Sequence, residues 1–98
     1  MTGAVEVTVF ELRPEIEADE MMRRAGEAAA VLKACGGFVQ RMVSRDESGQ
    51  WLDIVQWESM PALLHAQAAS AHSPEIDAFA AAMQPGALVL RQETPEAQ

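Results

Sequence analysis

Ninety-eight residues, 49 % apolar with ordinary glycine and proline content, fit one globular domain rather than a disordered chain. Fifteen acidic against seven basic side chains give a net charge of -8, which repels phosphate backbones and anionic lipid, so nucleic acid and membrane are excluded as partners. The single cysteine, Cys35, excludes an internal disulfide, and neither an export signal nor an uncharged run approaching about 18 residues is present, so a cytoplasmic protein without a membrane span is expected.

Residues 5 to 12 alternate, with Val5, Val7 and Val9 on one side and Thr8, Phe10 and Leu12 on the other. This predicts a strand, ended by Arg13-Pro14 because proline lacks the ladder donor. Asp19 is a candidate helix cap, and Met21, Ala25, Ala28, Leu32 and Cys35 then fall on one helical stripe. Glu20, Arg23, Arg24 and Glu27 occupy the opposite face, and Gly36-Gly37 closes the helix.

Two strands follow, over 38–45 and 50–57. A four-residue loop, Asp46-Glu47-Ser48-Gly49, would set Arg45 opposite Gln50. One face would then carry Phe38, Gln40, Met42, Trp51, Asp53, Val55 and Trp57. The other would carry Val39, Arg41, Val43, Leu52, Ile54 and Gln56. Apolar residues on both faces predict a sheet covered on both sides. Ser59 with Pro61, and later Ser73-Pro74, are helix starts, and Ile76, Phe79, Ala80 and Met83 form a further stripe. Pro85-Gly86 leads into a last strand, Ala87 to Gln92, and the polar segment Glu93 to Gln98 reads as a disordered tail.

The order is β-α-β-β-α-β, so an α+β, ferredoxin-like single domain is expected over 1–98. It would have a four-stranded antiparallel sheet, helices on one face, and the second helix in two pieces. A second copy is the economical cover for the other face, predicting a homodimer through the sheet.

Gly37-Phe38-Val39, then Gly49-Gln50-Trp51-Leu52-Asp53-Ile54-Val55-Gln56-Trp57-Glu58-Ser59, with Ala62 in the next helix, resemble the antibiotic-biosynthesis-monooxygenase-like group. That resemblance implies a dimeric α+β barrel with a ligand pocket in each subunit, between sheet and helices. The group includes cofactor-free oxygenases of aromatic polyketides and quinols, and haem-degrading enzymes. The resemblance also implies an Asn near the substrate in both branches, and a His with a Trp on the second helix in the haem branch. This chain has no Asn, no Tyr, and no Trp near His65 and His72.

Trp57 shares a strand side with Asp53 and Trp51, and is either an aromatic wall for a flat ligand or a core filler. Asp53 lies among apolar neighbours, where desolvation would suit a general base; the plainer alternative pairs it with an arginine. His65 lies on a segment that the resemblance implies faces the pocket, where a neutral imidazole could accept a proton. The alternative is a solvent-facing side chain, and His72, beside Ser73-Pro74, has that role or a hinge role. One helix would separate the two histidines by about 10 Å, too far to share a metal, so no metal site is expected. Arg41, on the opposite sheet face, would pair across a dimer seam or hold an anion. Cys35 reads as an inert core thiol, and the methionines as adaptable packing.

Catalysis is therefore assigned to His65 and Asp53, and the substrate contacts to Trp57, Trp51, Met42, Phe38 and Phe79, with no bound cofactor. Three functions compete: a cofactor-free oxygenase of an aromatic or quinol-like molecule, a non-catalytic dimer binding a small apolar ligand or a protein, and a haem-binding protein.

Overall fold

Period-two alternation builds the sheet. In the computed structural model, which describes residues 2–95, β1 (Gly3–Glu11) pairs antiparallel with both β3 (Gln50–Trp57) and β4 (Leu88–Thr94). The edge strand β2 (Phe38–Arg45) pairs with β3, giving the order β2-β3-β1-β4. The helices are α1 (Ala18–Lys33), α2 (Met60–Ala69) and α3 (Pro74–Ala81). This is the expected ferredoxin-like arrangement, with the second helix in two pieces.

The helix-facing side of the sheet buries Ala4, Thr8, Phe10, Trp51, Asp53, Val55 and Trp57. Its apolar contacts separate into two clusters. One joins Phe10, Trp51 and Phe79 to Met21, Ala25 and Ala28 of α1. The other joins Ala4, Val55 and Trp57 to Leu63 and Ala66 of α2. Each large buried side chain contributes about 1.5–3 kcal/mol of transfer free energy. The opposite side is uncovered: Val5, Val7, Val9, Leu52 and Ile54 are half-buried, and Met42, Leu88 and Leu90 are exposed.

The caps follow the sequence signals at α2 and α3. Ser59 accepts from the Ala62 amide at 3.2 Å, and Ser73 from the Ile76 amide at 3.4 Å. At α1 the cap position belongs to Glu17, without a side-chain bond, and Asp19 sits in the first turn instead, where its charge suits the helix dipole. On the outer face of α1, Glu20 binds Arg23 at 2.6 Å and Arg24 at 2.7 Å. Hydrogen bonds from Arg23 and then Arg24 pull its carboxyl down to about 2. Gly37, at φ +79, lies against α2, where an added Cβ would come within 2.6 Å of the Ala62 Cβ. Only glycine fits such a backbone and such an approach.

Two further expectations are corrected. The strand β4 reaches Thr94, with Glu93 opposite Ala4 and Thr94 opposite Gly3, so the start of the expected tail is ladder-paired. Pro95 follows the strand without regular structure, and the remainder of that tail, residues 96–98, lies outside the described residues.

The hairpin register is also one residue from the expected one. The Asp46 amide donates to the Gln50 carbonyl at 2.9 Å, leaving a three-residue loop, Glu47 to Gly49, with Gly49 at φ +90. The Asp46 carboxylate accepts from the Ser48 hydroxyl at 2.7 Å and from the Ser48 and Gln50 amides, which holds its pKa below the usual range. Arg45 therefore faces Trp51, Val43 faces Asp53, Met42 faces Ile54 and Arg41 faces Val55. A one-residue shift exchanges the faces of a strand. Arg41 and Val43 turn toward the helices, and Met42 and Gln40 turn away. A bulge between Phe38 and Gln40 returns Phe38 to the side of Trp57, and their rings meet edge to face at 5.7 Å.

Candidate functional site

Four charged side chains converge on the helix-facing floor of the sheet because each sits on the matching parity of its own strand. In β1 these positions are Glu6 and Thr8; in β3 they are Asp53 and Val55. Thr8 stands opposite Asp53, and Glu6 opposite Val55. The flanking strands add Arg41, opposite Val55, and Arg91, opposite Glu6. Across the sheet the charges run positive, negative, negative, positive: Arg41, Asp53, Glu6, Arg91.

A cavity of about 310 Å³ lies over this floor, between the two apolar clusters. Trp57 and Val55 of β3, Leu32 of α1, Leu63 of α2, and Ile76 and Phe79 of α3 supply apolar walls. Small side chains, Ala28 on α1 and Ser70 and Ala71 just beyond α2, leave the space open. Exposed Gln67 and half-exposed Arg91 stand at its rim. This combination of apolar enclosure and a few polar groups is what a small-molecule site requires.

The two ion pairs differ in their surroundings. Arg41 binds both oxygens of Asp53, Nε to Oδ1 at 2.7 Å and Nη2 to Oδ2 at 3.0 Å. The two side chains are only 8 % and 6 % exposed. The remaining Arg41 nitrogen, Nη1, donates to the Ala25 carbonyl of α1, and the guanidinium packs 4.7 Å over the Phe79 ring. The Glu6–Arg91 pair rests on one contact, Nε to Oε2 at 2.7 Å, with the Glu6 side chain 27 % exposed. All four side chains line the cavity, but the first pair is buried and the second is open to solvent.

The cavity brings together three of the sequence candidates: Asp53, Trp57 and Phe79. The others lie elsewhere. Trp51 stacks on Phe10 at 6.2 Å inside the first cluster, with Arg45 over its other side at 5.5 Å. Phe38 packs on Trp57 at the outer margin, beneath Lys33. The expectation that Met42 lines the pocket is corrected by the register: it is 55 % exposed on the open sheet face. His65 and His72 are exposed, and the expectation that His65 faces the pocket is corrected because α2 turns Leu63 and Ala66 inward instead. Arg41, expected at an intersubunit seam, has its carboxylate partner within its own chain. Cys35 is half-buried and its thiol donates to the Val31 carbonyl at 3.4 Å. Among the described residues, no three His, Cys, Asp or Glu side chains converge as a metal site requires.

Sequence reasoning missed Glu6, Thr8 and Arg91. Glu6 carried a signal, a carboxylate at the parity of buried Thr8 and Phe10. Arg91 carried none, since its neighbour depends on which strands pair.

Fold and floor together define a ferredoxin-like α+β domain with a ligand-sized cavity between sheet and helices. No family model matches the sequence, and no curated protein matches it. Among solved structures, the chain is similar to SnoaB, a cofactor-independent oxygenase from Streptomyces nogalater, at TM-score 0.75 and 18 % identity, over 100 % of this chain and 96 % of that one. It is similar to the monooxygenase from the gene ActVA-Orf6 of Streptomyces coelicolor, solved with the ligand Nanaomycin D, at TM-score 0.74 and 19 % identity, over 98 % and 89 %. A dimeric ferredoxin-like protein of unknown function from Thermobifida fusca matches at TM-score 0.70 and 9 % identity, over 93 % and 90 %. The chain therefore shares its fold with these oxygenases and with antibiotic-biosynthesis-monooxygenase-like proteins along nearly its whole length.

Proposed function

We propose that this chain binds an aromatic or quinol-like molecule between its sheet and helices and oxygenates it without a bound cofactor. The observation that carries this reading is the cavity itself, in which the rings of Trp57 and Phe79 border a floor of charged groups. Flat rings favour offset or edge-to-face contact with such walls, while the floor satisfies hydroxyl and carbonyl groups. The volume of about 310 Å³ suits a ligand of two or three fused rings. The similarity to SnoaB and to the ActVA-Orf6 enzyme supports the reaction class.

In that reaction the ligand loses a proton, and dioxygen takes up the resulting carbanion. For an anthrone, the ring methylene becomes a carbonyl: one oxygen atom stays on the carbon, the other leaves as hydroxide with the second methylene hydrogen, and the proton lost first balances that hydroxide as water. The enzyme binds the ligand, excludes bulk water and accepts the first proton.

The working unit in this proposal is a homodimer joined through the open sheet face. Val5, Val7, Val9, Leu52 and Ile54, with exposed Met42, Leu88 and Leu90, leave an apolar surface that a second copy would cover. The dimeric Thermobifida fusca protein of the same fold supports this arrangement.

A second reading is a non-catalytic binding dimer. The absence of Asn and Tyr, and the exposure of His65, favour it. Oxygen uptake by the pure protein over a panel of anthrones and hydroquinones separates the two, with ligand binding followed in parallel by quenching of tryptophan fluorescence. Uptake above buffer supports the oxygenase; quenching without uptake leaves the binding dimer; neither response removes both. Haemin added to the same protein, with no Soret shift, excludes the haem function.

A further inference from the structure

We infer that Glu6 is the group in the cavity that takes the proton from the bound ligand, with Arg91 as its positioning residue. The inference rests on the oxygenase reading and deepens it by naming the base. Two carboxylates reach the floor, and their hydrogen bonds separate them. Both oxygens of Asp53 are taken by Arg41, which is itself fixed by the Ala25 carbonyl and the Phe79 ring. Protonating Asp53 would remove the charge that holds a buried, bidentate ion pair together, a cost that Glu6 does not carry to the same degree. Glu6 is held by one contact, through Oε2, and among the described residues Oε1 has no hydrogen-bond partner. One oxygen is anchored and the other is free to accept, the arrangement a general base needs.

The groups around Glu6 agree with this role. From β4 it faces Arg91, and from β3 and β2 it faces the mutually neutralised Asp53–Arg41 pair. The helices over the cavity present Gln67 and Ser70, neither of which titrates. Glu6 thus has one cation contact, which keeps it ionised and oriented, and no unpaired anion within the floor.

In the step itself, the ligand's acidic C–H or O–H bond breaks, its electron pair stays on the ligand as a carbanion or phenolate, and the proton joins Oε1. Nothing is oxidised or reduced. The proton then passes to water at the rim beside Arg91 and Gln67, restoring the carboxylate. A ligand matched to this site carries one weakly acidic hydrogen on an otherwise apolar ring system.

The test uses anthrone with the full chain in oxygen-free heavy water. NMR follows exchange of the methylene protons, and tryptophan quenching measures binding. Wild type exchanges faster than buffer. Glu6→Gln is expected to bind anthrone within a few fold of wild type while exchange falls about a hundredfold. Added formate should restore part of the exchange to Glu6→Ala, a rescue that no scaffold role would show. Arg91→Met should lower exchange with binding retained, and Arg91→Lys should recover most of it. Circular dichroism ensures that each variant is folded. If Glu6→Gln exchanges at the wild-type rate, Glu6 is not the base, although the oxygenase reading survives. If wild type neither quenches nor exchanges, the cavity reading fails and takes Glu6 with it.

Discussion

Arg41 and Asp53 are joined by two parallel N–H···O contacts although they are not ladder partners: Arg41 stands opposite Val55, and Asp53 opposite Val43. The arginine reaches diagonally, and the same guanidinium continues to the Ala25 carbonyl of α1. One side chain thereby ties an edge strand, a central strand and a helix. Removing Asp53 would leave a buried, uncompensated cation. We expect Asp53→Ala to lose about 3–5 kcal/mol of stability in urea denaturation, and the double variant Arg41→Met with Asp53→Leu to lose much less.

Acid sensitivity is expected from the outer face of α1. Glu20 is held at about 2, against 4.5 for the free side chain, first by its bond to Arg23 and then by Arg24. A lowered carboxyl pKa contributes stability that is complete above the unfolded value and is lost as pH falls through the folded one. Melting temperature should therefore decline between about pH 4.5 and pH 2. Thermal melts of Glu20→Gln across this window should show a shallower decline, and an unchanged slope would remove Glu20 as its source.

The positive-φ glycines should respond unequally to a methyl group. Gly49, at φ +90, has open space around its absent Cβ, so Gly49→Ala costs only the left-handed backbone, about 1–2 kcal/mol. Gly37→Ala adds a 2.6 Å encounter with the Ala62 Cβ, so its loss should be clearly larger, and Ala62→Gly in the same chain should recover part of the difference. Equal midpoints for the two single variants in urea would contradict this.

The proposed sheet-face dimer predicts an effect confined to association. Ile54→Lys places a charge among Val5, Val7, Val9 and Leu52 without touching the cavity floor. Sedimentation should then report a folded monomer where wild type sediments as a dimer. A wild-type chain that is monomeric at micromolar concentration would overturn the dimer.

The element order was legible because each element carries its own local sign: alternation in β1, the 21-25-28-32 stripe in α1, and serine-proline starts at α2 and α3. The cavity was legible where it draws on β3, whose parity fixes Asp53 and Trp57 relative to each other, and at Phe79, on the inward stripe of α3. Arg41 and Met42 were assigned to the wrong sides because Asp46 accepts from Ser48 and Gln50, which makes the loop three residues rather than four. That choice is made by one side chain and is invisible to periodicity. His65 was misplaced for a related reason: α2 has no charged residue to mark its wet face, so the chain does not announce which side turns inward. Arg91 depends on a pairing between strands about eighty residues apart, which no local pattern records.

The tight turn held by Asp46 has a remote consequence. Lengthening it by a single residue would rotate β2 by half a turn relative to its neighbour, presenting a thioether where the guanidinium now lies and stranding the carboxylate beneath the helices. Surface tips of this kind ordinarily tolerate insertion freely; here the tip governs whether the interior is ionic or greasy, so a lineage or an engineer could recast the chamber without substituting anything inside it.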